Sequence, residues 1–505
     1  MTPLQRFSGL FATLLLVTGC STGSASPSPL ASRSPLADIV WETCPESDPY
    51  TGGSPELVCA TLPVPLDYAD PDGPTIDIAI AMLPAADQEG RLGSLFLNFG
   101  GPGASGINVL ASTGRGLVPS EIGNRFDLVT WDPRGTERSA PVNCLTDREL
   151  DAWIYEEGIP DAPRAADWVA AKDDAIWFAS KCVARSGDLL PYIGTSASAR
   201  DMESMRIAMG LKKLDYLGFS YGTLLGAVYA TLYPTSVGHL ILDGAVDPAP
   251  TDASEYGEQG VSIQGALDRL FAWCDADAQC PFGNGSARTA FDRLTAAADK
   301  DPIILADGRT LSAGMIWTGV IMTLYNRDYW EYAVAGLGSA AKERDGELIA
   351  ALADAYVDRN PGGGYASNIM EAFLAINCID YPASASIDTY RAIYEQFKND
   401  APDFAAGQAA SGLLCGVWPA KNADPLPASI DGAGAPPILV VGTTGDPATP
   451  YAWSERLAAG LEQGHLISFV GEGHTGVGGK SSCIDDAAIA FLISGTLPPD
   501  GTRCE

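Results

Sequence analysis

Histidine is scarce in this chain: three among 505 residues, at positions 239, 465 and 474. With so few, and with no CxxC pair or similar ligand spacing among the cysteines, a metal enzyme is not expected. Positive charge is short as well. Lys and Arg number 31 against 63 Asp and Glu, a formal net charge of −32, and a surface of that sign repels phosphate backbones and anionic lipid. Nucleic acid is therefore not expected as a partner, nor is docking of the protein body on a membrane. Neither the apolar run over 7–18 nor any later one is long enough to span a bilayer, and no internal repeat is evident.

What stands at the N-terminus is an export signal over 1–20. Arg6 supplies a basic start, an apolar run follows over 7–18, and the segment closes on Val17-Thr18-Gly19-Cys20. Small residues directly before a lone cysteine look like a bacterial lipobox, with Cys20 as the residue that would carry lipid. That lipid would be the only membrane attachment. Residues 21–38, rich in Ser, Pro and Ala, cannot bury a core and read as a flexible linker. Eleven cysteines less Cys20 leave ten, an even number in an exported chain, so disulfides are expected. Connectivity is open from sequence; the simplest hypothesis pairs neighbours, as Cys44–Cys59, Cys144–Cys182, Cys274–Cys280, Cys378–Cys415 and Cys483–Cys504.

Short β-rich runs alternate with helical patterns. The segments 58–67 and 75–84 alternate apolar and polar residues, as an antiparallel pair at a sheet edge does. Compact apolar runs at 94–99, 126–132, 214–220, 239–244, 437–443 and 465–470, separated by a helical region ending near Gly210 and by others, point to a mostly parallel sheet covered by helices on both faces. Between Asp243 and Pro437 the pattern is helical instead, over 261–276, 287–298, 313–325, 330–341 and 369–376. Expected, then, are a core over 39–249, a helical lid over 250–435 inserted after the sixth strand, and the rest of the core over 436–505. Ligands bind at the carboxyl ends of parallel strands, where such a lid would sit.

Gly218-Phe219-Ser220-Tyr221-Gly222 follows an apolar strand and precedes an apolar helix, the context a G-x-S-x-G nucleophile elbow requires. A serine hydroxyl needs a base. His239 and His465 begin apolar strands, whereas His474 lies in a Gly-rich loop after the last strand and is the candidate. An orienting acid is expected between nucleophile and base in chain order, and Asp446, after strand 437–443, fits; Asp485 and Asp486 follow the base and fit poorly. Oxyanion donors would be the amide of Tyr221 and, from the loop 98–106, that of Gly101, with Gly103 second because Pro102 has no N–H.

Together these motifs resemble the α/β-hydrolase serine peptidase family of proline iminopeptidase and the actinobacterial tripeptidyl aminopeptidases, including the related mycobacterial cell-envelope lipoprotein proteases. The likeness covers nearly the whole mature chain: Trp41-x-x-Cys44, CATLPVPLDY at 59–68, FGGPGASG at 99–106, Asp132-Pro133-Arg134-Gly135, the elbow at 218–223, LDGAVDP at 242–248, the acid loop at 446–451, Gly473-His474, and a TAP-like C-terminal region closing on GTLPPDGTRC at 495–504. It implies a serine peptidase of the α/β-hydrolase fold that needs no cofactor and acts on peptides with free N-termini or on related esters or amides. Asp380, by similarity to a C-x-D motif, and Glu371 are candidates to pair with the substrate ammonium, and Thr449 to help position Asp446. Two departures stand out. Glu137 occupies a place that is commonly Gly, and Phe99 stands where iminopeptidases have His, which argues against strict proline specificity. The number of subunits is left open.

Overall fold

Apolar runs broken by Gly and Pro become the strands of one twisted sheet. In this computed structural model, residues 39–505 are described apart from 53, 55, 156–157, 249–253, 299 and 500. The export signal, Cys20, the linker and the residues around the expected 249/250 boundary lie outside the described residues. The sheet strands are β1 (Glu42–Thr43), β2 (Val58–Pro65), β3 (Thr75–Leu83), β4 (Gly93–Asn98), β5 (Phe126–Trp131), β6 (Leu214–Phe219) and β7 (Val237–Asp243); a separate two-stranded hairpin, β8 (Ile303–Ile304) with β9 (Thr310–Leu311), precedes β10 (Ile438–Gly445), β11 (Gly464–Glu472) and β12 (Arg503–Cys504).

The order across the sheet is β1-β2-β3-β5-β4-β6-β7-β10-β11-β12. β2 and β3 pair antiparallel from Val58↔Met82 to Pro65↔Thr75, β3 runs against β5, and every later pair is parallel. All six residues of β5 and five of six in β4 are buried. Burial on both faces is why these strands read as unbroken apolar runs. β4 lies between β5 and β6, so the chain reverses its direction of travel across the sheet there, and a crevice opens beyond the carboxyl ends of β4 and β6. The two-residue β1 makes the strand before the insertion the seventh.

The insertion between β7 and β10 carries the β8–β9 hairpin and helices Ser254–Ala276, Ala287–Ala298, Ala313–Leu324, Trp330–Glu343, Glu347–Tyr356, Ile369–Asp380, Ile387–Phe397 and Ala405–Gly416. Its first part has its own core, around Leu267, Phe291, Ile316, Val320, Leu337 and Ile349. Its second part does not. Ile376, Tyr390 and Leu413 share a core with Trp168, Phe178 and Met202 from the helices that cover the sheet. Five disulfides join the neighbouring cysteines: Cys44–Cys59, Cys144–Cys182, Cys274–Cys280, Cys378–Cys415 and Cys483–Cys504.

Candidate active site

Ser220 sits between β6 and helix Tyr221–Leu232 with φ 55° and ψ −126°, a backbone state that costs a non-glycine residue about 1–3 kcal/mol and persists only where surroundings enforce it. They do so sterically. A Cβ on Gly218 would lie 2.4 Å from the Gly222 carbonyl oxygen, and one on Gly222 would lie 2.8 Å from that of Asn98. The Ser220 amide donates to the Asp243 carbonyl at 2.9 Å, which ties the elbow to the end of β7.

Asp446, buried just past β10, accepts the amides of Ala448 and Thr449 at 2.8 and 2.9 Å and the Thr449 hydroxyl at 3.0 Å. Its two oxygens lie 2.8 and 3.0 Å from His474 Nδ1. Facing a carboxylate, Nδ1 carries the proton and Nε2 the lone pair. Nε2 is buried and has no hydrogen-bond partner among the described residues. The base loop is held from the lid side too. The His474 amide donates to the Tyr325 carbonyl at 2.8 Å, Asn326 and Gly473 form an antiparallel bridge, and the Tyr325 ring meets the imidazole edge-on at 5.4 Å. The imidazole also packs on the strand that anchors Ser220, since a Cβ on Gly244 would come within 3.0 Å of His474 Cε1. No hydrogen bond joins Ser220 Oγ to Nε2 among the described residues; catalytic contacts of this kind often tighten only when substrate binds.

Gly101, Pro102, Ser220, Tyr221, Tyr325 and Thr449 open onto one cavity of about 380 Å³. Neither the Gly101 nor the Tyr221 amide donates to another group among the described residues. The loop that bears Gly101 packs tightly on the elbow, with a Cβ on Gly100 only 2.6 Å from the Phe219 carbonyl oxygen. Five lid helices supply the opposite wall, with Tyr256 and Ile263 from Ser254–Ala276, Ile321 from Ala313–Leu324, Tyr356 from Glu347–Tyr356, Phe373 and Asn377 from Ile369–Asp380, and Gln408 from Ala405–Gly416. Among the described residues, Glu255 is the one charged side chain on that lining.

Asp380 and Glu371 do not reach this cavity. Asp380 is buried beside it, accepting the Thr195 amide and hydroxyl and Asn422 Nδ2, and burial pushes its carboxyl up to about 7. Thr195 Oγ1 also meets the Tyr221 hydroxyl, so Asp380 braces the residue after the nucleophile, and it lines an adjoining cavity of about 520 Å³ that shares Glu255, Tyr256 and Tyr381 with this one. Glu371 accepts the amides of Cys144 and Leu145, both at 2.6 Å, and serves as a buried anchor for that turn; burial raises its carboxyl despite those amides. Glu137, at φ 38°, exchanges hydrogen bonds with Asn368 at the start of a lid helix, which accounts for a non-glycine residue there. Phe99 stacks on Phe219 at 5.9 Å. Sequence reasoning missed Glu255, Tyr325 and Asp243. For Asp243 a signal existed, since an acid at the carboxyl end of a parallel strand is what singled out Asp446.

A family model described as TAP-like protein matches residues 401–504. Serine protease Hip1 of Mycobacterium tuberculosis is 34% identical over 99% of this chain and 97% of its own length. Carboxylesterase B of the same organism is 36% identical over 95% and 93%. The tripeptidyl aminopeptidase of Streptomyces lividans is 31% identical over 94% and 88%. Among solved structures, an α/β-hydrolase fold protein from Chitinophaga pinensis aligns with 86% of this chain and 97% of its own at 13% identity and a TM-score of 0.33.

Proposed function

This chain belongs to the α/β-hydrolase family of the tripeptidyl aminopeptidases and the serine protease Hip1, and on that footing we propose that it is an exported serine peptidase working through an acyl-enzyme on Ser220. His474 Nε2 takes the Ser220 proton as Oγ attacks the scissile carbonyl, and Asp446 stabilises the imidazolium that forms. The amides of Tyr221 and Gly101 receive the developing oxyanion. His474 then protonates the leaving amine, and the same groups activate the water that releases the acyl product. The observation that carries this reading is the Asp446–His474 pair with an unpartnered Nε2, packed against the strand end that anchors a strained serine. Export with lipid on Cys20 is supported by the lipobox-like leader and by five cystines; Cys20→Ser would abolish incorporation of labelled fatty acid.

Within this reading the substrate is a peptide with a free N-terminus. Among the described residues the cavity wall bears one acidic side chain, Glu255, and no basic one, which suits an ammonium and opposes recognition of a C-terminal carboxylate. A charge-assisted hydrogen bond contributes about 1.5–3 kcal/mol, so Glu255→Gln would raise KM for free peptides roughly tenfold or more. The decisive experiment digests a peptide library and its N-acetylated counterpart. Cleavage of free peptides near their N-termini is expected, with acetylated ones resistant. Equal cleavage of both, or turnover of acyl esters alone, would favour an esterase, which the apolar wall of Ile263, Ile321, Phe373 and Leu374 supports.

A further inference from the structure

Asp243 ends β7, is fully buried, and has no part in the acyl-transfer steps above. Its side chain nevertheless reaches the base loop. Both carboxylate oxygens accept the Gly476 amide at 2.9 Å, and Oδ2 accepts that of Val477 at 2.8 Å, two and three residues past His474. Its main chain reaches the nucleophile, because its carbonyl accepts the Ser220 amide. The next residue completes the arrangement: Gly244 donates to the Val441 carbonyl of β10 at 3.0 Å and lies directly against the His474 ring.

We infer that Asp243 is a positioning residue whose main chain holds the nucleophile and whose side chain holds the loop of the base, so that one residue sets the separation of Ser220 Oγ from His474 Nε2. The inference rests on the Ser220–His474 chemistry proposed above. Two features set this carboxylate apart from an ordinary loop anchor. It joins two catalytic segments that lie 254 positions apart in sequence (474 less 220), and it is a second negative group beside the imidazole. The charged and titratable groups around His474 are Asp446 at Nδ1, Asp243 beneath the loop, Lys480 donating to the His474 carbonyl, and the Tyr325 ring. Removing the Asp243 charge makes the imidazolium harder to form. Burial pushes the Asp243 carboxyl up to about 6, with the Gly476 and Val477 amides, Lys480 and His474 opposing that rise.

Asp243→Asn keeps the shape and one good acceptor but removes the charge. In the full-length enzyme kcat is expected to fall roughly ten- to a hundredfold with KM within about twofold, a split that marks lost transition-state stabilisation. Fluorophosphonate labelling of Ser220 slows in parallel. The acid limb of kcat/KM moves to lower pH by roughly half a unit or more, as a lost neighbouring charge requires. A merely structural anchor would lower the melting temperature and leave that limb in place, which would overturn the inference, as would wild-type kinetics. Asp243→Glu provides a second line should the Asn variant not fold: with charge retained and the loop displaced, kcat falls while the acid limb stays; wild-type kcat would overturn. Ser220→Ala and His474→Ala run alongside. If either retains turnover, the catalytic reading itself fails; if both are inactive while Asp243→Asn behaves as wild type, this inference alone falls.

Discussion

At the scale of single residues, the imidazole of His474 is only 10% exposed, packed between Tyr325 and Gly244. Its replacement by Ala therefore has two expected effects of unequal size. Turnover falls about 10⁴-fold or more, as for loss of the base in comparable enzymes, while the melting temperature drops by no more than a few degrees, read by circular dichroism. Gly222→Ala tests the elbow itself. The added Cβ would stand 2.8 Å from both the carbonyl and the side-chain oxygen of Asn98, so the turn must shift and labelling of Ser220 by a fluorophosphonate should slow at least tenfold; undiminished labelling would contradict the steric argument. Residues whose placement depends on local pattern were legible: Ser220 between glycines at a strand-to-helix turn, Asp446 and His474 on loops after strands. Residues whose role depends on a distant partner were not. Asp380 meets Thr195 from 185 positions away, and Glu371 meets Cys144 from 227. Nothing in their own neighbourhoods marks them as buried beside those partners.

At the scale of elements, apolar strands and the lid helices with strong periodicity stood out, helix 287–298 to the residue. Helices Glu347–Tyr356, Ile387–Phe397 and Ala405–Gly416 escaped notice, as did the long helix Ala165–Ser186 as a separate element. The third of these is rich in Ala and Gly, and the long one leaves Val169, Ile176 and Val183 exposed, which blurs an amphipathic pattern. Helices Ile369–Asp380 and Ala405–Gly416 are tied by Cys378–Cys415, and both of those cysteines line the cavity. Replacing the pair by Ala should cost about 2–4 kcal/mol of stability and raise KM several-fold, because the wall then loosens where substrate lies. A lower melting temperature with unchanged KM would show that the cystine braces the fold without shaping the cavity.

At the scale of the whole molecule, acidity and burial act on stability in the same direction. Asp380 and Asp243 hold protons up to about pH 7 and 6 because burial disfavours their charged forms, whereas the unfolded chain releases those protons near pH 4. The folded state therefore binds more protons across that window, and stability declines as pH rises through it. Repulsion among 63 acidic side chains against 31 basic ones adds to the decline. Asp48 has the opposite sign: although partial burial works against it, Arg138 and two backbone amides hold it at about 2, so its contribution disappears only in strong acid. Urea midpoints should fall between pH 4.5 and 7.5, and Asp380→Asn should flatten part of that slope; a rising midpoint would contradict the assignment. The bridge between Asn326 and Gly473 has one more consequence. A cover fastened to the strip of chain that bears the imidazole cannot swing clear as one body without disarming the enzyme. On the peptidase reading proposed above, substrate must then enter with the cover in place, so faster digestion of slender chain ends than of folded polypeptide is the expected outcome.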